Sequence, residues 1–367
     1  MRIVRLAMRN FRSYAAAEVE LGAGVTVVTG RNGAGKTNLL DALYFGCTGR
    51  SARTTNEREL VRFGEQVVRV EVTTEAPDGL HELSVGFTPG EPKRMSADGV
   101  RVERLLDVPG RPLVSVFLPE RLELIKGTPS LRRAHMDQLV AALWPARVVT
   151  RRAYNQALAQ RNALVARIRA GGAAVDSLSA WDRELARHGI ALMADRAAAV
   201  EAVAERFARR AEDLGLDGDP AVAYRPRSKA RDADALAAEL AERRARDVER
   251  GFTGHGPHRD DLLLTREGRE LRAYGSQGQQ RLGLLALLLS EREAIAATRD
   301  ATPVMLLDDV MSELDRDRRA RLVGLLRGRG QSVITATDLD HVPGADAPDV
   351  ARLAVAGGRV LTDAEAA

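Results

Sequence analysis

Nine consecutive residues carry the chemistry most easily recognised in this chain: Gly30, Arg31, Asn32, Gly33, Ala34, Gly35, Lys36, Thr37 and Asn38. The first eight fit G-x-x-x-x-G-K-[ST], a loop whose backbone N–H groups converge on a triphosphate at the positive end of the following helix. Lys36 is placed to reach the β- and γ-phosphates, and the Thr37 hydroxyl to ligate magnesium. A second group lies near the C-terminus, where the apolar run Pro303–Leu307 ends in Asp308 and Asp309, with Ser312-Glu313-Leu314-Asp315 close behind. Carboxylates at the C-terminal edge of a buried strand are where an open α/β sheet places ligand groups. Asp308 is expected to hold the magnesium through a water, and Asp309 to polarise the water that attacks the γ-phosphate. Alone, two acids after an apolar run would equally begin a capped helix; with the glycine loop they form the second half of a nucleotide site.

A third group, Tyr274-Gly275-Ser276-Gln277-Gly278-Gln279-Gln280-Arg281, precedes the apolar stretch Leu282–Leu289. Ser276 is a natural N-cap, and Gly278 and Gln279 follow it in the first turn, so this is another helix start able to receive an anion. Read alone it is an ordinary capped helix. In a chain that already holds a triphosphate, a second phosphate-seeking surface implies two copies facing each other, each completing the other's site.

These groups need particular elements behind them. Val25–Thr29 is β-branched and apolar, as a buried strand is, and Asn38–Tyr44 has helical periodicity. Strand signals at 3–7, 17–21, 25–29, 67–74 and 81–88 make residues 1–115 strand-rich. From Ser130 to about Arg250 the pattern is helical, broken at Pro145, at Gly171-Gly172 and through Gly215–Pro226. Strand signals resume after Gly251 and end in a hairpin near Val355–Leu361. The expected organisation is therefore an α/β nucleotide-binding lobe built from 1–115 and 251–367, with a compact helical lobe, 116–250, inserted. Helices of about 20 residues, each about 30 Å long, are too short for an extended coiled-coil arm.

Composition narrows the class. The chain has 367 residues with 45% hydrophobic content, enough for a large core. Its single cysteine, Cys47, excludes a disulfide framework and falls in the helix after the glycine loop, where a buried thiol is expected. No apolar segment is long enough to span a membrane, and Met1–Arg5 begins a strand rather than a leader, so a cytoplasmic protein is expected. The net charge of +4 is compatible with a polyanionic partner, and an aromatic content of 4% argues against stacking platforms for single strands. Duplex DNA held by its phosphates is the partner these numbers favour. Arg50, Arg53, Arg58 and Arg62 are either DNA contacts or surface ion pairs. The Arg/Glu clusters at 205–212 and 242–250 read as solvated helix faces. His255, His258, Asp260 and Asp261 have a metal-like composition, but Gly256-Pro257 breaks the helical spacing and no cysteine assists, which disfavours a transition metal.

The order of glycine loop, helical insertion, serine-glycine-glutamine signature, paired-acid strand and S-E-L-D resembles the ABC-type ATPases of the SMC group, and within it the RecF family. The matching stretches are N-F-R-S-Y (Asn10–Tyr14), T-G-R-S-x-R-T (Thr48–Thr54), F-x-P-E-x-L-x-L (Phe117–Leu124) and G-x-P-x-x-R-R (Gly127–Arg133). Q-R-N (Gln160–Asn162), G-P-H-R-D-D (Gly256–Asp261), S-Q-G-Q-Q-R and L-L-D-D-V-x-S-E-L-D complete the set. The resemblance implies an ABC-type ATPase head with a mixed sheet, an inserted helical lobe and no long coiled coil. It implies ATP and Mg2+ as cofactors, an ATP-bridged homodimer that clamps double-stranded or gapped DNA, and slow hydrolysis as a timer of release. Partnership with RecR and RecO in loading recombinase, and roles in replication, repair and the SOS response, follow from the same resemblance. It places Arg12 and Ser13 near the phosphates or adenine, and Ser276, Gly278 and Gln279 on the γ-phosphate of the opposite subunit. Three departures from most ABC ATPases stand out. Asp309 replaces the usual Glu, and no switch histidine follows the strand Ser332–Ala336, leaving Thr337 as the nearest γ-phosphate sensor. No glutamine occupies the hinge near Phe117, where Glu120 is the nearest polar group. A transporter ATPase would need both the histidine and the glutamine, and a head fused to a nuclease would need an additional acidic metal domain.

Overall fold

A computed structural model describes residues 1–299 and 301–361. In chain order, its first strands and helix are β1 (Arg2–Phe11), β2 (Tyr14–Glu20), β3 (Val25–Thr29), α1 (Lys36–Thr48), β4 (Val68–Ala76), β5 (Gly79–Phe87), β6 (Arg94–Ala97), β7 (Val100–Val102) and β8 (Val114–Phe117). There follow α2 (Glu123–Lys126), α3 (Pro129–Leu143), α4 (Val148–Arg169), α5 (Leu178–Asp213), β9 (Ala221–Arg225), α6 (Ala233–Ala241), α7 (Arg244–Arg250), β10 (Asp261–Arg266), β11 (Arg269–Glu270), α8 (Leu271–Tyr274) and α9 (Gln277–Arg299). The chain closes with β12 (Val304–Leu307), α10 (Arg316–Leu326), β13 (Ser332–Ala336), β14 (Ala351–Ala356) and β15 (Arg359–Leu361).

The chain forms two compact units. One comprises Met1–Arg121, Asp213–Gly215 and the chain from Ile295 on; the other comprises Leu122–Glu212 and Leu216–Ala294. The first holds two sheets. An antiparallel sheet runs β2-β1-β4-β5-β6-β7, and a mixed sheet runs β15-β14-β3-β13-β12-β8. In the mixed sheet β3 pairs in parallel with both β14 and β13, and β12 in parallel with both β13 and β8. Strands so flanked are covered on both faces and read as continuous apolar runs, which is why Val304–Leu307 and Ser332–Ala336 are buried at every residue. The antiparallel sheet alternates instead: Leu6 and Met8 point inward, Arg5 and Arg9 outward. One core joins Val70, Val72 and Val85 to Leu39, Leu43 and Phe45 of α1 and to Val28 and Leu306 of the mixed sheet. Full burial of a side chain such as Leu43 or Phe45 contributes about 1.5–3 kcal/mol. Cys47 lies in the same core, completely buried, with its thiol pKa pushed up to about 12 by that burial.

In the second unit Tyr154 and Ala157 of α4, Leu185, Leu192 and Met193 of α5, and Leu236 and Leu240 of α6 share a core. A small antiparallel sheet, β11-β10-β9, belongs here as well. Helix α4, with 22 residues, has the expected length, whereas α5 exceeds it. The stretch from Leu178 to Asp213 contains no proline and only Gly189 as a breaker, so α5 continues for 36 residues, about 54 Å. Leu236 of α6 packs against Gly189: a Cβ there would stand 2.9 Å from Leu236 Cδ2.

The expected division at 115/116 and 250/251 also differs from the observed one. β8 joins the mixed sheet, so the first unit continues to Arg121. Residues 251–294 group with the helices, because β10 pairs with β9 in the register Asp261↔Arg225 and Asp261 accepts both Arg132 Nε (2.6 Å) and Arg132 Nη2 (3.0 Å) of α3.

Candidate functional site

Within the first unit, the loop from β3 to α1 is held from below. Gly30 has φ 153°, and a Cβ there would meet Val355 O of β14 at 2.3 Å, so only glycine fits. Gly358 N donates to Ala34 O at 3.0 Å, and the Tyr14 hydroxyl to Gly35 O at 3.1 Å. Ala34, Gly35 and Lys36 are buried, whereas Arg31, Asn32 and Gly33 are exposed. No side chain caps α1, so its first-turn N–H groups keep their capacity for an anion. Lys36 folds back across the loop, Nζ donating to Gly30 O at 2.6 Å and Arg31 O at 3.2 Å. Burial lowers its pKa, and the nearby Asp309 and Asp308 oppose that shift.

The paired acids stand at the end of β12. Thr37 Oγ1 donates to Asp308 Oδ2 at 2.8 Å, and Thr335 Oγ1 of β13 donates to Asp308 Oδ1 at 2.7 Å. Thr335 Oγ1 in turn accepts the Asp309 N–H at 2.9 Å. One hydroxyl thus orients both acids. Asp309 sits in the left-handed region, φ 45° and ψ 30°, a conformation that costs about 1 kcal/mol in a non-glycine residue. Burial raises the Asp308 pKa, opposed by the hydrogen bonds from Thr335 and Thr37. A 5%-exposed carboxylate with two hydroxyl neighbours and no salt bridge among the described residues is a hard oxygen set suited to a cation. That donor set fits Mg2+, which uses one or two protein oxygens and takes the rest from phosphates and waters.

Around this centre the other expected residues take distinct positions. Ser13 Oγ accepts Asn38 Nδ2 at 2.9 Å, and Asn38 Oδ1 accepts Arg53 Nη1 at 3.2 Å, so Ser13, Asn38 and Arg53 form one chain beside α1. Arg12, with φ 50°, turns onto the buried Asp41, at 3.1 Å from Nε and 2.9 Å from Nη2. Ser51 Oγ and Ala52 N also donate to Asp41, each at 2.9 Å. Arg12 is therefore tied to the frame of α1. Thr337 Oγ1 lies 3.1 Å from His341 Nδ1, a histidine four residues on that the sequence pattern did not single out. Arg50 and Arg58 are exposed; Arg62 stands 3.9 Å from Glu65 and donates its N–H to Asn10 O, so these three do not join the Arg53 chain. Glu120 is exposed in the turn after β8.

The second unit holds the signature. Ser276 Oγ accepts Gln279 N at 3.3 Å, while Ser276 N donates to Gln279 Oε1 at 2.8 Å, a reciprocal capping box at the start of α9. Gln280 is buried, and its Nε2 donates to Leu271 O (2.9 Å) and Gly275 O (3.1 Å), fixing the approach from α8. Ser276, Gln277 and Gly278 are exposed, and a Cβ on Gly278 would meet nothing in this chain.

The histidine–aspartate stretch of the same unit serves packing. Asp261 takes Arg132, and Asp260 takes Tyr224 and Arg196. His255 faces Glu239, and His258 stands between the Tyr154 hydroxyl (2.7 Å) and Thr253 O (2.9 Å). These four side chains address different partners. Among the described residues no cluster of three or more His, Cys, Asp or Glu side chains is arranged for a metal ion.

Comparison with known proteins places this geometry. A DNA replication and repair protein RecF of Myxococcus xanthus (strain DK1622) is 40% identical over 379 residues, covering 100% of this chain and 98% of the relative. The chain belongs to the RecF family. A RecF of Anaeromyxobacter sp. (strain Fw109-5) is 38% identical over 98% of this chain and 99% of its own. Residues 5–99 match the family described as AAA domain. Among solved structures, the recombination mediator protein RecF with ATP, in the RecFOR pathway, is 28% identical and superposes with a TM-score of 0.85 over 98% of this chain and 97% of that one. An Smc head bound to the C-terminal winged helix domain of ScpA, 16% identical, superposes with a TM-score of 0.60 over 98% of this chain and 97% of that one. The chain therefore has the α/β ATPase-head fold shared with SMC heads.

The glycine loop, paired acids and N-F-R-S-Y surround one centre, whereas Q-R-N and G-P-H-R-D-D supply buried ion pairs of the helical unit. Thr335 and Asp41 have no place among the sequence motifs, and Ser51 enters only as part of T-G-R-S-x-R-T. A hydroxyl following the apolar pair Val333-Ile334 near the end of the strand is the one signal for Thr335.

Proposed function

We propose that this chain is an ATP-dependent DNA-binding protein of recombinational repair and a slow ATPase, working in the cytoplasm. The observation that carries the reading is the chain of bonds from Thr37 through Asp308 and Thr335 to Asp309 beside an uncapped glycine-loop helix. In this reading the loop N–H groups and Lys36 hold the β- and γ-phosphates, Thr37 and Asp308 hold the cation, and Asp309 orients and deprotonates the attacking water. Magnesium, when bound, neutralises charge on the phosphates. Ser276 and Gly278 present the start of α9 to the γ-phosphate held by a second copy, so ATP bridges a homodimer. Gln279 keeps Ser276 in place through the capping box. Thr337, aligned by His341, is the candidate γ-phosphate sensor. Arg12 and Ser13 set the wall of the site through Asp41 and Asn38.

The bridged dimer closes on double-stranded or gapped DNA, and hydrolysis releases it. Membership in a family whose relatives are named for replication and repair, and a fold match to a mediator of the RecFOR pathway, support that DNA role and partnership with RecO and RecR. No helix among the described residues is long and apolar enough to cross a membrane. The test is Lys36→Met. It removes the cation facing the phosphates, and we expect loss of ATP binding, of the ATP-induced dimer in sedimentation, and of ATP-stimulated retention on duplex DNA. Wild-type dimerisation and DNA retention by Lys36→Met in ATP would overturn the assignment.

A further inference from the structure

Helix α4 differs from the other long helices in its charge. Its 22 residues include Arg151, Arg152, Arg161, Arg167 and Arg169 and not one Asp or Glu. Solvated helices ordinarily mix both signs at i,i+3 and i,i+4 spacing, as α5 does where Glu184 meets Arg187 and His188. The arginines of α4 divide by direction. Arg161 is completely buried on Asp182 and Asp247, and Arg151 reaches Asp137 at 3.1 Å. Arg152 and Arg167 are exposed and, among the described residues, make no ion pair or hydrogen bond through their side chains.

The exposed pair shares a face. Residues 152, 156, 159, 163 and 167 follow helical spacing, and Gln156, Ala159, Gln160 and Ala163 between the arginines are all exposed. Arg152 and Arg167 are about 22 Å apart along the axis. Small side chains in the middle let the helix backbone approach a surface, and amides beside them supply neutral donors and acceptors. A major groove about 12 Å wide fits between the two guanidinium groups, leaving each over a flanking phosphate row. The absence of any carboxylate on the helix removes repulsion from such a partner.

We propose that this face of α4 is a contact surface for duplex DNA, with Arg152 and Arg167 on phosphates of opposite strands and Gln156 and Gln160 over the groove. The proposal rests on the DNA-binding reading above. Phosphate contacts fix position without reading sequence, so binding through this face is insensitive to base sequence and steeply sensitive to salt.

The experiment measures anisotropy of a short labelled duplex with the full chain in ATP, from about 50 to 200 mM salt. For Arg152→Ala with Arg167→Ala, the slope of log K against log salt is expected to become shallower by about 0.9 for each arginine removed, and low-salt affinity to fall about tenfold. Ala163→Glu, at an exposed helical position that tolerates it, is expected to weaken binding at least as much, whereas Ala163→Gln leaves it unchanged. ATP binding and ATP-driven dimerisation should equal wild type in all of them. If wild type binds duplex and the double variant keeps its slope, or if Ala163→Glu binds as Ala163→Gln does, this surface is not the contact. If wild type itself shows no ATP-dependent binding, the broader DNA reading falls and this proposal with it.

Discussion

Asp308 and Asp309 are adjacent in sequence and opposite in circumstance. Asp308 is buried with both oxygens taken by hydroxyls, whereas Asp309 is half-buried, in a left-handed backbone conformation, and held through its backbone, its N–H on Thr335 Oγ1 and its carbonyl accepting from Ser312 Oγ at 2.9 Å. That difference suits one to a fixed cation and the other to a water. Asp309→Asn keeps size and polarity but removes the base, so ATP should bind while turnover falls about a hundredfold. The DNA-bound state should then outlast wild type after dilution; slow turnover with an unchanged DNA lifetime would separate hydrolysis from release. Thr335→Val is isosteric and removes both hydroxyl contacts, orphaning the Asp309 N–H at about 1–3 kcal/mol. A lower denaturant midpoint with ATP binding kept and turnover down about tenfold is expected. Wild-type turnover in Thr335→Val would make the residue a packing element alone.

At the level of elements, periodicity made β3, α1 and α9 legible, because each has one strong pattern bounded by glycine or a cap. It failed where a tertiary partner decides. β9 falls in the stretch Gly215–Pro226, where the helical pattern breaks off, and becomes a strand by pairing with β10 across 35 intervening residues; α5 continues through Gly189, against which Leu236 packs. The glycine loop and both acids could be read from spacing alone. Thr335 could not, since its role depends on parallel pairing of β13 with β12. The histidines were equally opaque: only the packed helices show that His258 accepts from Tyr154 while donating to Thr253 O. Burial depresses its pKa to about 4, against about 6.5 when unfolded. The unfolded state therefore binds more protons between those values, and stability is lost as pH falls from about 6.5 to 4, by up to about 3 kcal/mol. Urea midpoints measured across that range should decline, and His258→Gln should flatten the decline. An unchanged profile in the variant would assign the acid sensitivity to other groups.

For the whole molecule, the exposed start of α9 and the uncapped start of α1 each offer a helix N-terminus, and the homodimer proposed above is an assembly that would use both. Ser276→Arg leaves the glycine loop intact and places a long side chain on the exposed signature surface. It should bind ATP as wild type does yet sediment as a monomer in ATP. ATP-driven dimers of Ser276→Arg would refute the face-to-face arrangement.

Cys47 has a different consequence. The chain contains no other cysteine, and this one is sealed inside α1's packing with a thiol that ionises only near pH 12. Alkylation at neutral pH must therefore wait for that helix to come away from its sheets, so the labelling rate reports how often the nucleotide unit opens. A ligand that binds only the closed form slows that rate by the factor 1 + [L]/Kd, about a hundredfold at a hundred times Kd. Labelling that is indifferent to ATP would mean that the opening leaves the glycine loop intact. A single mass shift on an unmodified chain is enough to read it: the protein carries its own gauge of how firmly that unit is shut.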